Sequence, residues 1–307
     1  MILCCGEALI DMLPQTGVGG DATFAPHVGG SVFNTAIALA RLGAPTGFFT
    51  GLSTDLFGQM LERALADDGV ETRFARRSDR PTTLAFVTLT NGQAQYAFYD
   101  ENTAARMLEP DDLPETDAAD ALFFGGISLM VEPCATAYEA LAARDAPGKV
   151  MMLDPNIRAS FITDETAYRE RIGHMLGLAD IVKLSDEDLR WLKGAGDLAA
   201  LAEEVLDAGP RLVCITEGAH GVTGYMPGGR AVRVPAHTVE VVDTVGAGDT
   251  FNAGLLASLA RQGMLKKDAI GALDAETVGR AIALGAEAAA VTVSRAGANP
   301  PYARELT

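Results

Sequence analysis

Asp243-Thr244-Val245-Gly246-Ala247-Gly248-Asp249-Thr250-Phe251 is the stretch on which the reading of this 307-residue chain turns. The β-branched segment before it, Thr238-Val239-Glu240-Val241-Val242, predicts a buried strand. After it, Phe251, Leu255, Leu256 and Leu259 recur at helical spacing. The stretch is therefore expected to form a tight strand-to-helix turn whose glycines let a ligand approach the backbone closely. The first turn of a helix offers unpaired N–H groups and the positive end of a dipole, which suits anionic oxygen, above all a phosphate in transfer. A carboxylate beside an anion is electrostatically costly, and Asp249 is such a carboxylate. A general base that takes the proton from an attacking hydroxyl accounts for the cost. The competing reading makes Asp249 a helix cap and the glycines an ordinary turn.

Composition narrows the classes. Hydrophobic residues make up 48% of the chain, enough for a packed core. The net charge of −17 repels phosphodiester backbones and anionic lipid, so neither nucleic acid nor a membrane is an expected partner. Cys4 and Cys5 are adjacent on an apolar strand and would point to opposite faces, while Cys134 and Cys214 are isolated. Buried thiols in a reducing cytoplasm are the expectation, not a disulfide framework or a metal cluster. Glu7 and Asp11 interrupt the first apolar run, which does not read as a signal peptide, and no run reaches the roughly 18 apolar residues of a membrane span.

Along the chain, short apolar strands alternate with helical patterns. Ile2-Leu3-Cys4-Cys5 opens as a buried strand, and Gly29-Gly30-Ser31 leads into a helix stopped by Gly43 and Pro45. Thr82–Thr90 and Gln95–Tyr99 are joined around Asn91-Gly92, a hairpin signal set between βα units. From about residue 118, strands at 121–124, 150–153, 180–184 and 212–215 alternate with helices, and two long helices close the chain. The pattern predicts one doubly wound, mainly parallel α/β domain over residues 1–307, with a small β lid from about 12–28 and 72–104. Ligands of such sheets bind beyond the carboxyl ends of the strands, where Asp11, Asp154, Lys183, Thr216 and Asp243 are expected.

Rival phosphate motifs do not fit. There is no Gly-x-x-x-x-Gly-Lys-Ser/Thr loop, and protein-kinase signatures are missing. Gly246-Ala247-Gly248 would begin a dinucleotide fingerprint, but Phe251 stands where its third glycine belongs, which leaves a dehydrogenase poorly supported. Asp243 to Asn252 instead resembles the C-terminal signature of the ribokinase or PfkB family of sugar kinases. Gly29-Gly30-Ser31-Val32-Phe33-Asn34 with Ala40-Arg41-Leu42-Gly43 resembles the N-terminal signature. Gly6-Glu7-Ala8-Leu9-Ile10-Asp11, Asp154-Pro155-Asn156-Ile157-Arg158 and Thr216-Glu217-Gly218-Ala219-His220-Gly221 extend the resemblance, in order, over nearly the whole chain.

The resemblance implies a ribokinase-like fold and magnesium-dependent transfer of the ATP γ-phosphoryl group to a sugar hydroxyl. It makes Asp249 the base and the amides of Gly246, Ala247 and Gly248 the anion hole. Asp11, Gly30 and Asn34 would hold the sugar and Arg158 would reach the sugar or the transferring phosphate, with Tyr96 and Phe98 of the lid, beside Tyr99, closing over the site. Thr216, Gly218, Gly221, Lys183 and Gly248 would meet the nucleotide. Asp243, Thr244 and Ser294 match positions around a monovalent cation, potassium. Where relatives carry Asn-x-x-Glu to organise magnesium, this chain has Ser185 and Asp188 at that spacing with Glu187 between, so which carboxylate serves is open. Strand-end caps, a surface salt bridge for Arg158, aromatic packing within the lid and an acidic helix start are the alternatives for these positions. Tyr96–Ala104 and the Asp-Pro-Asn-Ile-Arg run most resemble fructokinases, which implies fructose, with 2-keto-3-deoxygluconate or another small sugar as the alternative. A homodimer through the lid and a cytoplasmic location are further implications. A sugar or nucleotide binder without catalysis is the reading from another class.

Overall fold

The computed structural model describes residues 1–17, 19–90 and 93–306, and the side chains of 88–90 and 93–96 lie outside that description. The chain opens with Ile2–Cys5 (β1), four buried residues. Leu9–Thr16 (β2) and Ala22–Gly29 (β3) follow as an antiparallel pair, then helix Ser31–Arg41 (α1) and strand Thr46–Phe49 (β4). Gly51–Ser53 (β5), Leu56–Asp67 (α2) and Arg76–Ser78 (β6) lead to the hairpin Leu84–Thr90 (β7) and Gln93–Tyr99 (β8). Ala121–Gly125 (β9), Cys134–Asp145 (α3), Val150–Asp154 (β10), Glu165–Leu178 (α4) and Ile181–Ser185 (β11) then alternate. Asp186–Lys193 (α5), Leu198–Leu206 (α6), Leu212–Thr216 (β12), Val222–Met226 (β13) and Arg230–Val234 (β14) continue the chain. Ala247–Arg261 (α7), Lys267–Ile270 (α8) and Ala275–Val293 (α9) close it.

The main sheet has the order β14-β13-β12-β11-β10-β9-β1-β4 and is parallel from β12 to β4, with β13 and β14 antiparallel at one edge. Its central strands are unbroken apolar runs, as a sheet covered by helices on both faces requires. Cys4 packs into the core on one face, with Phe33, Phe48 and Leu255, and Cys5 into the core on the other, with Phe124 and Tyr138. The expected doubly wound architecture is the observed one. The chain runs from β1 outward to β4 and then back past β1 to β9, which places a switch point between β1 and β9. Among the described residues, no helix is long and apolar enough to cross a membrane.

A separate four-stranded sheet, in the order β3-β2-β7-β8, stands beside this layer structure. The Asn91-Gly92 turn lies outside the described residues, although Thr90 pairs with Gln93 on either side of it. The sheet takes in Leu9–Thr16, Ala22–Gly29, Leu84–Thr90 and Gln93–Tyr99. The expected share from 72 onward is smaller, because Arg76–Ser78 pairs instead with Gly51–Ser53 in a sheet of two strands. The larger correction concerns Thr238–Val242, which is neither a strand nor buried; Val241 is 61% exposed. β-branching favours an extended backbone, but the edge beyond β13 is already filled by β14, so no partner strand remains. Two amides at the end of this segment, those of Val242 and Asp243, are held by the Val293 carbonyl alone. Asp243 therefore does not follow a strand, and Asp11 lies within β2 rather than at the end of β1.

Candidate active site

Helices α2, α4, α6 and α9 are closed at their starts by their own aspartates, whereas α3 and α8 have no side-chain cap. Asp55 caps α2 by accepting from the Gly58 amide at 2.7 Å, Asp274 caps α9, and Asp164 and Asp197 cap α4 and α6. Helix α7 begins on Gly246, and no side chain caps it. Gly246 has φ 78°, and a Cβ there would come within 2.7 Å of the Ala298 Cβ, so the turn is restricted to glycine. Of the three amides expected to form an anion hole, that of Ala247 reaches back to the Thr244 carbonyl at 3.4 Å. The first-turn amides beyond it have no carbonyl one turn earlier to accept them.

Asp249 sits on the first turn, 8% exposed, and accepts a hydrogen bond from Asn34 Nδ2 at 2.9 Å on Oδ2. Thr35 Oγ1 donates to the Asp249 carbonyl at 3.2 Å, so α1 grips both the side chain and the backbone of this residue. Burial raises the Asp249 carboxyl to about 7; the Asn34 bond and the Lys183 charge oppose that rise, while Asp154 and Glu7 add to it. Position at a helix start favours the anion, yet desolvation wins, and a carboxyl near 7 is matched to moving a proton at neutral pH. The helix-cap alternative fails because the carboxylate accepts from Asn34, a side chain of another helix, and no side chain caps α7.

Asn34 is positioned by a residue that sequence reading passed over. Glu7, buried ahead of β2, accepts from the Ser31 amide at 2.9 Å and the Ser31 hydroxyl at 2.8 Å, and so caps α1 from outside. Its other oxygen accepts from the Ser128 amide at 3.3 Å. A carboxylate inside an apolar opening run was the available signal. Gly30, with φ 110°, lies so close to the Glu7 carbonyl that a Cβ would approach it to 2.8 Å. Asp11 lies against Gly29, and burial raises its carboxyl to about 6. Phe98 packs edge-to-face on Phe161 at 4.7 Å, whereas the alternation of β8 turns Tyr99 to the opposite face, where it is largely exposed. The Tyr96 side chain lies outside the described residues. Arg158 is exposed and donates to the carbonyls of Asn156 and Ile157 rather than to a carboxylate, so the alternative of a surface salt bridge is not what holds it.

Lys183 points under the α7 turn and is 4% exposed. Its ammonium donates to Asp154 Oδ2 at 3.0 Å, and Asn252 Nδ2 donates to the same oxygen at 2.7 Å. Thr216 ends β12, and Gly218 and Gly221, both with positive φ, form the turn after it; a Cβ on Gly221 would meet the Val234 carbonyl at 2.2 Å. The acidic stretch is split in role. Asp188 is buried and closes a capping box with Ser185, and its Oδ1 accepts from the Ile157 amide at 3.1 Å, while Glu187 is exposed. Among the described residues no three His, Cys, Asp or Glu side chains cluster as a metal cage. Asp243 accepts from the amides of Val245 and Gly297, which joins the turn before α7 to the loop after Ser294, whose hydroxyl donates to the Val291 carbonyl. Thr244 is exposed on that turn.

Residues 1–304 match the sequence pattern described as pfkB family carbohydrate kinase. The chain is 52% identical over 279 residues to a fructokinase of Rhizobium leguminosarum bv. trifolii, covering 91% of this chain and 85% of that one. The fold superposes on a fructokinase of Xylella fastidiosa with bound ATP at a TM-score of 0.89 and 31% identity, covering 97% and 93% of the two chains. It also superposes on a fructokinase of Vibrio cholerae in a fructose, ADP and calcium ion bound form, at 0.84 and 25% identity over 97% and 94%.

Proposed function

The chain belongs to the pfkB family of carbohydrate kinases, and from that premise we propose that it transfers the γ-phosphoryl group of ATP to a hydroxyl of fructose. The observation that carries this reading is the uncapped start of α7, where a buried carboxyl tuned to about 7 stands beside amides free to bind an anion. Asp249 takes the proton as the sugar oxygen attacks in line, and Asn34 keeps the carboxylate aimed. The amides of the Gly246–Gly248 turn take up charge that develops on the phosphoryl oxygens. Asp11, Gly30, Asn34 and Arg158 are the proposed sugar contacts, and the four-stranded sheet, with Tyr96 and Phe98, is the proposed lid that excludes water as the competing acceptor. Thr216, Gly218 and Gly221 would line the nucleotide, and the exposed valines 239, 241, 242 and 245 offer its base an apolar surface.

Magnesium arriving with the nucleotide would supply charge neutralisation at the phosphates. Glu187 and Asp188 would order its waters, and Asp243, Thr244 and Ser294 would frame a potassium site. A cytoplasmic location goes with four free buried thiols. We further propose a homodimer through the outer face of the small sheet, where Phe24, Phe86 and Tyr99 stack edge-to-face at 5.0 and 5.5 Å and remain partly or largely exposed. Phe24→Lys combined with Tyr99→Lys is expected to convert a dimer to a monomer in sedimentation velocity; a monomeric wild type would refute the interface.

The functional reading is tested by ADP release from ATP and magnesium across fructose, ribose, glucose, 2-keto-3-deoxygluconate and adenosine. Turnover is expected with fructose at a kcat/KM at least about tenfold above any other acceptor, since one mismatched buried hydroxyl contact costs more than a factor of ten. A preference for another acceptor would keep the mechanism and remove fructose. Silence with every acceptor while ATP binds would favour the non-catalytic binder.

A further inference from the structure

Among the described residues, Lys183 is the one lysine or arginine that is buried. A buried ammonium costs several kcal/mol unless it is paired and hydrogen-bonded, so its retention at this place calls for an account. The pairing is asymmetric. Asp154 Oδ2 receives both Lys183 at 3.0 Å and Asn252 at 2.7 Å, so Asn252 fixes the acceptor and the acceptor fixes the ammonium. Asn252 Oδ1 is itself buried without a hydrogen-bond partner, which shows that its amide is turned to serve Asp154 at the expense of its own acceptor. Above the ammonium lies the anion-binding turn: a Cβ built on Gly248 would sit 3.0 Å from Lys183 Nζ, with no other residue between them. A side chain at Gly248 would therefore press on the ammonium, which would have to give by a few tenths of an ångström.

We infer that Lys183 is a positioning residue of phosphoryl transfer, its ammonium pinned by Asp154 and Asn252 beneath the Gly248 backbone as a fixed positive charge under the anion-binding turn and the carboxylate that follows it. It acts through the turn and not by reaching the nucleotide, because its side chain is closed off from the surface. Part of its effect falls on the transferring phosphate, and for that part the inference rests on the kinase reading above. The other part falls on Asp249. The charged groups that face this carboxyl are Lys183 on β11, Asp154 at the end of β10 and Glu7 ahead of β2. Two of the three are anionic, so Lys183 is the group that offsets them.

The test follows the Asp249 carboxyl directly in the free enzyme, by carbon NMR on aspartate-labelled protein with the resonance assigned through Asp249→Asn. Lys183→Met, which keeps the length of the side chain, is expected to raise the Asp249 midpoint by about one pH unit or more. It should also lower kcat at least about a hundredfold with KM for ATP changed less than about threefold. Lys183→Arg, which keeps a positive charge at the site, is expected to leave the midpoint within about half a pH unit of wild type. A purely structural role would not separate loss of charge from a change of side chain. An unchanged midpoint in Lys183→Met, or a large rise in KM for ATP with kcat kept, would overturn the inference. Where Lys183→Met does not fold, the neutral Lys183→Gln gives the same readout, and an unchanged midpoint there overturns it alone. Turnover of no sugar by wild-type enzyme, with the midpoint shift observed, would refute the kinase reading and leave the placed charge standing.

Discussion

Asp249→Asn is expected to lower kcat by about 10²–10⁴-fold while fructose and ATP still bind, the range for removing a positioned general base. The amide keeps the shape and still accepts from Asn34 through its oxygen, so the loss isolates proton transfer from packing. In the wild type, the group must be ionised to act, and burial holds its carboxyl up at about 7. The kcat/KM for fructose should then fall as pH drops through about 7, and this limb should be missing from the residual activity of Asp249→Asn. Stability runs the other way. A carboxyl whose folded-state value lies above its ordinary 3.8 is held more tightly protonated when folded, so its contribution to stability is present at low pH and is lost as pH rises toward 7. Asp249→Asn should therefore melt a few degrees above wild type at pH 8 and level with it near pH 4. Turnover within tenfold of wild type, or a lower melting temperature at pH 8, would remove Asp249 from the role.

What made this residue legible in the sequence was a chemical conflict, an acid placed where an anion should bind. The same stretch shows the limit of that kind of reading. Thr238–Val242 has the side chains of a strand, but β-branching speaks for extension and not for a partner, and whether an edge is free depends on a hairpin nearly a dozen residues upstream. Asn34 was named, yet its bond to Asp249 joins residues 215 apart, a distance set only by the packing of α1 on α7. Lys183, Asp154 and Asn252 come from three elements, and their network exists because the doubly wound topology brings β10, β11 and α7 together. Alternating patterns fix the layers and the place where ligands bind; they do not say which buried charges will meet there.

Glycines inside helices carry a second consequence that spacing alone does not disclose. Gly254, in the middle of α7, is expected to tolerate no larger side chain: Gly254→Val should cost at least about 2 kcal/mol, roughly 4–8 °C in melting temperature for a chain of this size. A Cβ there would stand 2.6 Å from the Gly285 Cα and 2.9 Å from both the Gly285 amide nitrogen and the Leu284 carbonyl. All three are backbone atoms of α9, so no rotamer change relieves the contact and the helices must part. Activity should fall with stability, because α9 also holds the start of α7: Thr292 Oγ1 donates to Thr250 Oγ1 at 3.0 Å, and the Val293 carbonyl accepts from Val242 and Asp243. Helix propensity favours any residue but proline over glycine, by up to about 1 kcal/mol, which is the opposing effect. Gly173, on α4, measures that effect by itself, since a Cβ there meets nothing within 4 Å. Gly173→Ala should raise stability by about 0.5–1 kcal/mol with turnover unchanged. Two glycines in helical interiors thus predict opposite signs, and a Gly254→Val protein as stable as wild type would mean that α7 and α9 are not held at glycine distance.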